Sequence, residues 1–319
     1  MKSVMVTGAS GFVGGSLCRE LVRTGYSVVG VVRQIQQRVS SVEYFETDLV
    51  QEDSLAHNFP KVDCIIHLAG RAHVLDEKAE DPLAAFRKAN RDATVRLASR
   101  ALAAGVKRFV FVSSIGVNGN RTERAAFTED SLPQPHAPYA ISKREAEVEL
   151  AAQLEGSGME LVIVRPPLIY AFDAPGNFGR LIRLAVKGVP LPLRHIENSR
   201  SLISRKNMVE FLKLCIEHPR AAGQVFLVAD GQDISTAEMI KNLCKGMGKT
   251  PMLFPFPASL LRLALQFLGK SNIYDQLCGS LQVDASKARR LLGWRPEDTT
   301  PAALQEAGRQ FIEQQKGAE

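Results

Sequence analysis

The stretch Thr7-Gly8-Ala9-Ser10-Gly11-Phe12-Val13-Gly14-Gly15 constrains this chain more than any other. It follows a short apolar run and opens a segment of helical period, the place in a βαβ unit where backbone amides and a helix N-terminus can hold a diphosphate. Gly8 and Gly11 would let the backbone approach the phosphates, and Gly14 would let helix and strand pack closely. The expected cofactor contacts here are Gly8, Ser10, Gly11, Phe12, Val13 and Gly14, around a nicotinamide dinucleotide. The spacing is GxxGxxG and differs from the GxGxxG of many dehydrogenases.

The pattern around it continues the same unit. Short β-branched runs at 3–7, 27–32, 43–46, 64–67, 109–113 and 161–165 alternate with helical periods near 11–24, 82–104 and 137–153. Strands separated by helix-length segments give an α/β fold, a doubly wound parallel sheet of Rossmann type. After Arg165 the texture changes: Pro166, Pro167, Pro175, Pro190 and Pro192 crowd a short span, and later apolar segments are mainly helical. The expected division is a dinucleotide-binding domain over 1–165 and a smaller mixed α/β substrate lobe over 166–319, some of whose elements return to the first domain. A chain of 319 residues is long enough for both.

The formal net charge of +6 admits an anionic partner, but Lys and Arg are interspersed with Asp and Glu and form no basic arm, so nucleic acid is not expected. Cys18, Cys64, Cys215, Cys244 and Cys278 are far apart and include no CxxC, which points to neither a disulfide framework nor a metal site. A five-residue apolar stretch before Gly8 is too short for a signal peptide, and a cytoplasmic protein is expected. The most apolar segment, 252–268, reads as an amphipathic helix packed on its own domain; the other reading, contact with a membrane surface or a partner, is not favoured.

At the end of the second strand, where an acid would accept the ribose hydroxyls of NAD, the chain has Val31-Val32-Arg33. Arg33 suits the 2′-phosphate of NADP, which favours NADP over NAD; alternatively it is solvated or stacks on adenine. Asp48 is a candidate partner for the adenine amino group, or a helix cap. Tyr139 and Lys143 stand four apart on a helical segment and project from one face, one strand-helix unit after Ser114 at the carboxyl edge of the sheet. A phenol exchanges protons poorly at neutrality, and an ammonium about 5 Å away contributes about 3 kcal/mol toward acidifying it. Ser114 would hold the substrate oxygen while Tyr139 moves the proton.

These residues carry a resemblance. The chain is similar to the extended short-chain dehydrogenase/reductases, with matching segments at Thr7 to Gly14, Asp48-Leu49, His67-Leu68-Ala69-Gly70, Asn90, Ser113-Ser114, Tyr139 to Lys143, Arg165-Pro166, 198–203, 284–287 and 292–296. The resemblance implies that Leu49, Leu68, Ala69, Gly70 and Asn90 line the cofactor, that Lys143 also holds the nicotinamide ribose, and that Arg165-Pro166 borders the carboxamide. It implies a UDP-sugar substrate whose diphosphate is gripped by Asn177 and Arg200; a helix cap and a surface charge are the alternatives. It also implies a homodimer formed through the helices near 82–104 and 137–153.

The departures bear on the reaction. Gly116-Val117-Asn118-Gly119 lacks the aromatic that many relatives carry after the serine strand, and Ile115 and Gly116 stand where similar dehydratases have an acid pair. A bacterial UDP-4-keto-6-deoxy-sugar reductase acting at C4 in surface-polysaccharide synthesis is the expected activity. The alternatives are a UDP-hexose or UDP-N-acetylhexosamine 4-epimerase, a non-catalytic NADP-binding sensor, and a hydroxysteroid- or flavonoid-type ketone reductase.

Overall fold

Val4, Met5 and Val6 have no exposed surface, as expected of a strand covered on both faces, and they lie near the centre of the sheet. The structure, a computed structural model, describes residues 2–35, 38–55, 58–72, 80–267, 269 and 271–317. In chain order the elements are β1 (Ser3–Thr7), α1 (Gly14–Arg23), β2 (Ser27–Val32), β3 (Val42–Glu46), β4 (Cys64–His67), α2 (Pro82–Arg87), α3 (Ala93–Ala103), β5 (Arg108–Val112), α4 (Pro138–Leu154), β6 (Glu160–Arg165) and β7 (Leu168–Tyr170). They continue with α5 (Gly176–Val186), β8 (Leu202–Ser204), α6 (Arg205–Glu217), β9 (Gln224–Leu227), α7 (Thr236–Gly246), α8 (Ala258–Phe267), α9 (Ser271–Cys278), α10 (Ser286–Leu292) and α11 (Thr300–Lys316).

Seven strands form one parallel sheet in the order β3-β2-β1-β4-β5-β6-β9. The winding reverses between β1 and β4, where Thr7 is in register with His67, so a crevice opens at the carboxyl ends of these two strands. The α/β doubly wound fold is as expected, with β9 supplied by the chain beyond 165. One face of the sheet is covered by α1, α6 and α10, whose Leu17, Leu21, Phe211 and Leu292 pack with Trp294. The other face is covered by α3 and α4 through Leu97, Ala101, Ala146 and Leu150. A separate core of Tyr170, Phe178, Ile182, Leu243 and Leu304 joins α5, α7 and α11.

Two expected helices differ in detail. The one expected from 11 begins at Gly14, because 8–13 is consumed by a turn closed by Gly11 N–H donating to the Gly8 carbonyl at 2.8 Å. The one expected over 82–104 contains a π-helical insertion at Lys88–Asp92. The apolar 252–268 segment also differs: Leu253 pairs with Leu191, only Ala258–Phe267 is helical, and none of those helical residues is buried. Position 268 lies outside the described residues.

Candidate active site

The glycine turn and the loop after β4 are built against each other. Gly8 has φ +68°, and a Cβ there would stand 3.0 Å from the Ala69 nitrogen. A Cβ on Gly14 would stand 2.1 Å from the Gly8 carbonyl oxygen, so α1 can meet the turn only without a side chain at that position. No side chain caps α1 and its first turn holds no acid, which leaves its amides and positive dipole end for an anion. Ser10 and Gly11 are exposed at the turn, Phe12 is half-buried and Val13 is buried.

Behind this cradle runs a chain of buried hydrogen bonds. The Ala69 N–H donates to Thr7 Oγ1 (3.1 Å), Thr7 Oγ1 meets His67 Nδ1 (2.7 Å), His67 Nε2 meets Thr94 Oγ1 (2.9 Å), and Thr94 donates to the Asn90 carbonyl (2.8 Å). Since the Thr94 hydroxyl proton goes to Asn90, His67 donates from Nε2 and accepts at Nδ1 from Thr7, a neutral imidazole with one tautomer. Burial, reinforced by the nearby Lys143 charge, pushes His67 down to about 3. The relay ties β1, β4 and the π-helical turn together.

Asn90 sits fully buried in that turn. Its Oδ1 accepts from Arg71 N–H (2.7 Å) and its Nδ2 donates to the Arg71 carbonyl and Ser142 Oγ (both 3.1 Å). Its amide thereby fastens the β4 loop to α4. Gly70 lies above it: a Cβ there would stand 2.9 Å from Asn90 Oδ1 and 3.5 Å from Lys143 Nζ, so the bare backbone keeps a slot open beside the lysine.

Helix α4 starts at Pro138, whose fixed φ suits the first helical position, and brings Tyr139 and Lys143 to the same edge. Ser114 lies close enough to the Tyr139 phenol to draw its pKa down, against burial. Ser114 Oγ in turn accepts from Gly116 N–H at 3.1 Å. Lys143 Nζ donates to the Val112 carbonyl at 2.9 Å and lies 4.6 Å from the Phe111 ring centroid. Desolvation pushes Tyr139 up to about 12, with Ser114 working against it. Lys143 is held down at about 8 by burial, opposed by Glu147 one helical turn away.

The Lys143 ammonium is turned to the Val112 carbonyl and the Phe111 ring, and burial raises the Tyr139 phenol. Sequence reasoning missed Glu147. It is buried and receives a bidentate contact from Arg165 (Nε to Oε1 2.9 Å, Nη2 to Oε2 2.6 Å), while Arg165 Nη1 donates to Asn118 Oδ1 (3.0 Å). The Arg165 side chain is therefore committed to Glu147 and Asn118, and the Pro166 carbonyl accepts from Ile115 N–H beside Ser114. The signal was an acid four residues after Lys143 on an otherwise core-facing line.

The remaining candidates lie farther out. Arg33 is exposed immediately after β2. Asp48 closes a local turn by accepting from Val50 N–H (3.0 Å). Leu49 buries its side chain in the core and its carbonyl accepts from Arg96. Leu68 and Ala69 are half-buried and Gly70 is exposed at the crevice. Asn177, in the first turn of α5, donates to Gln276 Oε1 of α9. Arg200 donates to the Gly279 carbonyl at 2.9 Å, so the fold ties both of these residues to the segment 276–279.

Residues 4–229 match the profile of the NAD dependent epimerase/dehydratase family. The chain belongs to that family. Its likeness extends to individual members: a UDP-glucose 4-epimerase of Vibrio cholerae is 39% identical over 315 residues, 98% of this chain and 96% of that one. Two solved structures share the fold at lower identity. A UDP-glucose 4-epimerase from Thermotoga maritima with UDP-glucose superposes with TM-score 0.78 at 20% identity, covering 99% of this chain and 100% of that one. A UDP-glucuronic acid 4-epimerase from Bacillus cereus, in complex with UDP-glucuronic acid and NAD, gives TM-score 0.77 at 22% identity, covering 98% and 99%.

Membership makes the chain an enzyme of the extended short-chain dehydrogenase/reductase type, in an NAD-dependent family. The glycine cradle fits such a dinucleotide: the open α1 terminus faces its diphosphate side, and the Gly70 slot lies beside Lys143.

Proposed function

We propose that this protein is a UDP-sugar 4-epimerase, inverting C4 of a UDP-hexose or UDP-N-acetylhexosamine. The observation that carries the reading is the placement of Tyr139 beside Ser114, with Lys143 one turn further along α4, in a chain 39% identical to a UDP-glucose 4-epimerase over nearly its whole length. That likeness moves the reading from the expected C4 reductase to the epimerase alternative. When bound, a nicotinamide dinucleotide would supply reversible hydride exchange at C4. Tyr139 takes the proton of the C4 hydroxyl and gives it back, and Ser114 orients the oxygen between the two steps. Burial raises the Tyr139 phenol, and positive charge beside it, from Lys143 or an oxidised nicotinamide, would favour the phenolate. Asn177 and Arg200, joined to 276–279, would hold the diphosphate.

The experiment is conversion of UDP-galactose and UDP-N-acetylgalactosamine by purified protein without added reductant. Interconversion of either pair is expected, and Tyr139→Phe should lower turnover about 10³-fold while NAD binding persists. An inert wild-type protein, or a Tyr139→Phe variant of full activity, would end this reading. A second reading, an NADPH-consuming C4 reductase, is favoured by Arg33, which is exposed where the family's NAD users need an acid. Its mark would be consumption of NADPH with a UDP-4-keto-6-deoxy-sugar, and NADPH bound more tightly than NADH by a margin that Arg33→Ala narrows.

A further inference from the structure

Helix α8 has an apolar outer face. Leu260, Leu263 and Phe267 are spaced three and four apart, fall on one side of the helix, and are 51%, 50% and 83% exposed. The inward side is served by Leu261, which packs on the α5/α7/α11 core. A helix on a protein surface ordinarily turns polar residues outward, so this outer stripe needs an occupant.

The patch continues beyond the helix. Leu191 and Leu253 form a bridge, and Arg194 N–H donates to the Phe254 carbonyl, which lays exposed Val189, Met252 and Phe254 on neighbouring backbone. Cations stand near it in the chain. Lys187, Arg194, Lys249 and Arg262 are all exposed; Lys249 reaches the Val186 carbonyl, and Arg262 lies 5.9 Å from the Tyr274 ring centroid. Neither 180–194 nor 239–274 contains an aspartate or glutamate. Apolar anchors within a one-sign basic rim complement an interface of acyl chains beneath anionic headgroups.

We propose that the α8 face docks on a membrane surface bearing anionic lipid headgroups, with Leu260, Leu263 and Phe267 entering the acyl boundary and Arg194, Lys249 and Arg262 meeting the headgroups. Among the described residues no helix is long and apolar enough to cross a membrane, so α8 lies in the interface plane. A second copy of this chain fits less well, because an isologous contact would set the basic rim against itself.

The test is co-sedimentation of the full chain with phosphatidylethanolamine/phosphatidylglycerol vesicles and with phosphatidylcholine vesicles, for wild type and for Leu260→Ser/Leu263→Ser/Phe267→Ser. Dinucleotide binding serves as the fold control, since all three side chains face solvent. Binding to the anionic vesicles is expected, about ten-fold weaker on phosphatidylcholine and about ten-fold weaker for the variant. A wild-type chain that stays in the supernatant with anionic vesicles overturns the proposal, as does a variant that binds them equally well. A wild-type dimer that the triple substitution converts to monomer also overturns it, by assigning the face to a second copy.

Discussion

The crevice edge of the Rossmann sheet and the outer surface of α8 are opposite solutions to placing side chains. At the crevice, polar and charged groups are buried and held by named partners: Thr7 and Thr94 around His67, Ser142 and Arg71 around Asn90, Arg165 and Arg144 around Glu147. At α8, apolar groups stand in water with little packed against them. Burial without partners is costly for the first set, and exposure is costly for the second. The crevice is thus complete within one chain, whereas the α8 face is complementary to something else. If that contrast is right, substitutions in the two regions should differ greatly in their effect on stability.

The largest effect is expected at Glu147. Glu147→Gln keeps the shape but leaves the guanidinium of Arg165, itself 3% exposed, without its counter-charge. Breaking a buried pair in this way costs about 3–5 kcal/mol. The double variant Glu147→Gln/Arg165→Met removes the orphaned charge and should recover most of the loss. Urea unfolding of the three proteins measures both. A single-variant loss below about 1 kcal/mol would mean that water already reaches the pair, and the crevice would not be the dry site described above.

His67 gives a pH-dependent effect of intermediate size. Its ordinary value of 6.5 falls to about 3 in the folded chain because burial disfavours the cation. A base with a depressed folded value contributes stability that is fully present above 6.5 and is lost as pH falls toward 3. Between pH 6.5 and 5 wild type should lose about 2 kcal/mol relative to His67→Gln, at about 1.4 kcal/mol per pH unit. Asp230, held up at about 6 by burial, titrates in the opposite sense in both proteins and cancels in the difference. A difference that stays flat from pH 7 to 5 would show that His67 can take up a proton without breaking the relay.

How much of this was legible in the chain follows from the range of the interactions. The βαβ units were readable because strand burial and glycine spacing are local: β1, β2 and β4 occupy the expected residues, and β3, β5 and β6 start one residue early. The short strands β7, β8 and β9 went unseen because three- or four-residue runs have no period to detect. Tyr139, Lys143 and Ser114 were legible from spacing and position, and the structure brings them to one edge. Thr94 and Ser142 were not, since an unremarkable polar residue acquires its role only when a π-helical turn places Asn90 between them. The 252–268 segment was readable as amphipathic, but which apolar side faced the core was not, because alternate leucines on α8 satisfy either orientation.

The smallest effect is expected on α8, and it is the one that separates an exposed face from a covered one. Phe267→Ser, Leu263→Ser and Leu260→Ser remove side chains that touch little of this protein, so each should change stability by no more than about 0.5 kcal/mol. Leu261→Ser, one position along the same helix, removes a contact with the α5/α7/α11 core and should cost about 1 kcal/mol or more. Thermal unfolding at a dilution low enough to exclude self-association compares the four directly. A Phe267→Ser loss equal to that of Leu261→Ser would mean that another part of the same chain covers the stripe in solution, and the contrast between a self-contained crevice and an unpartnered helix would not hold.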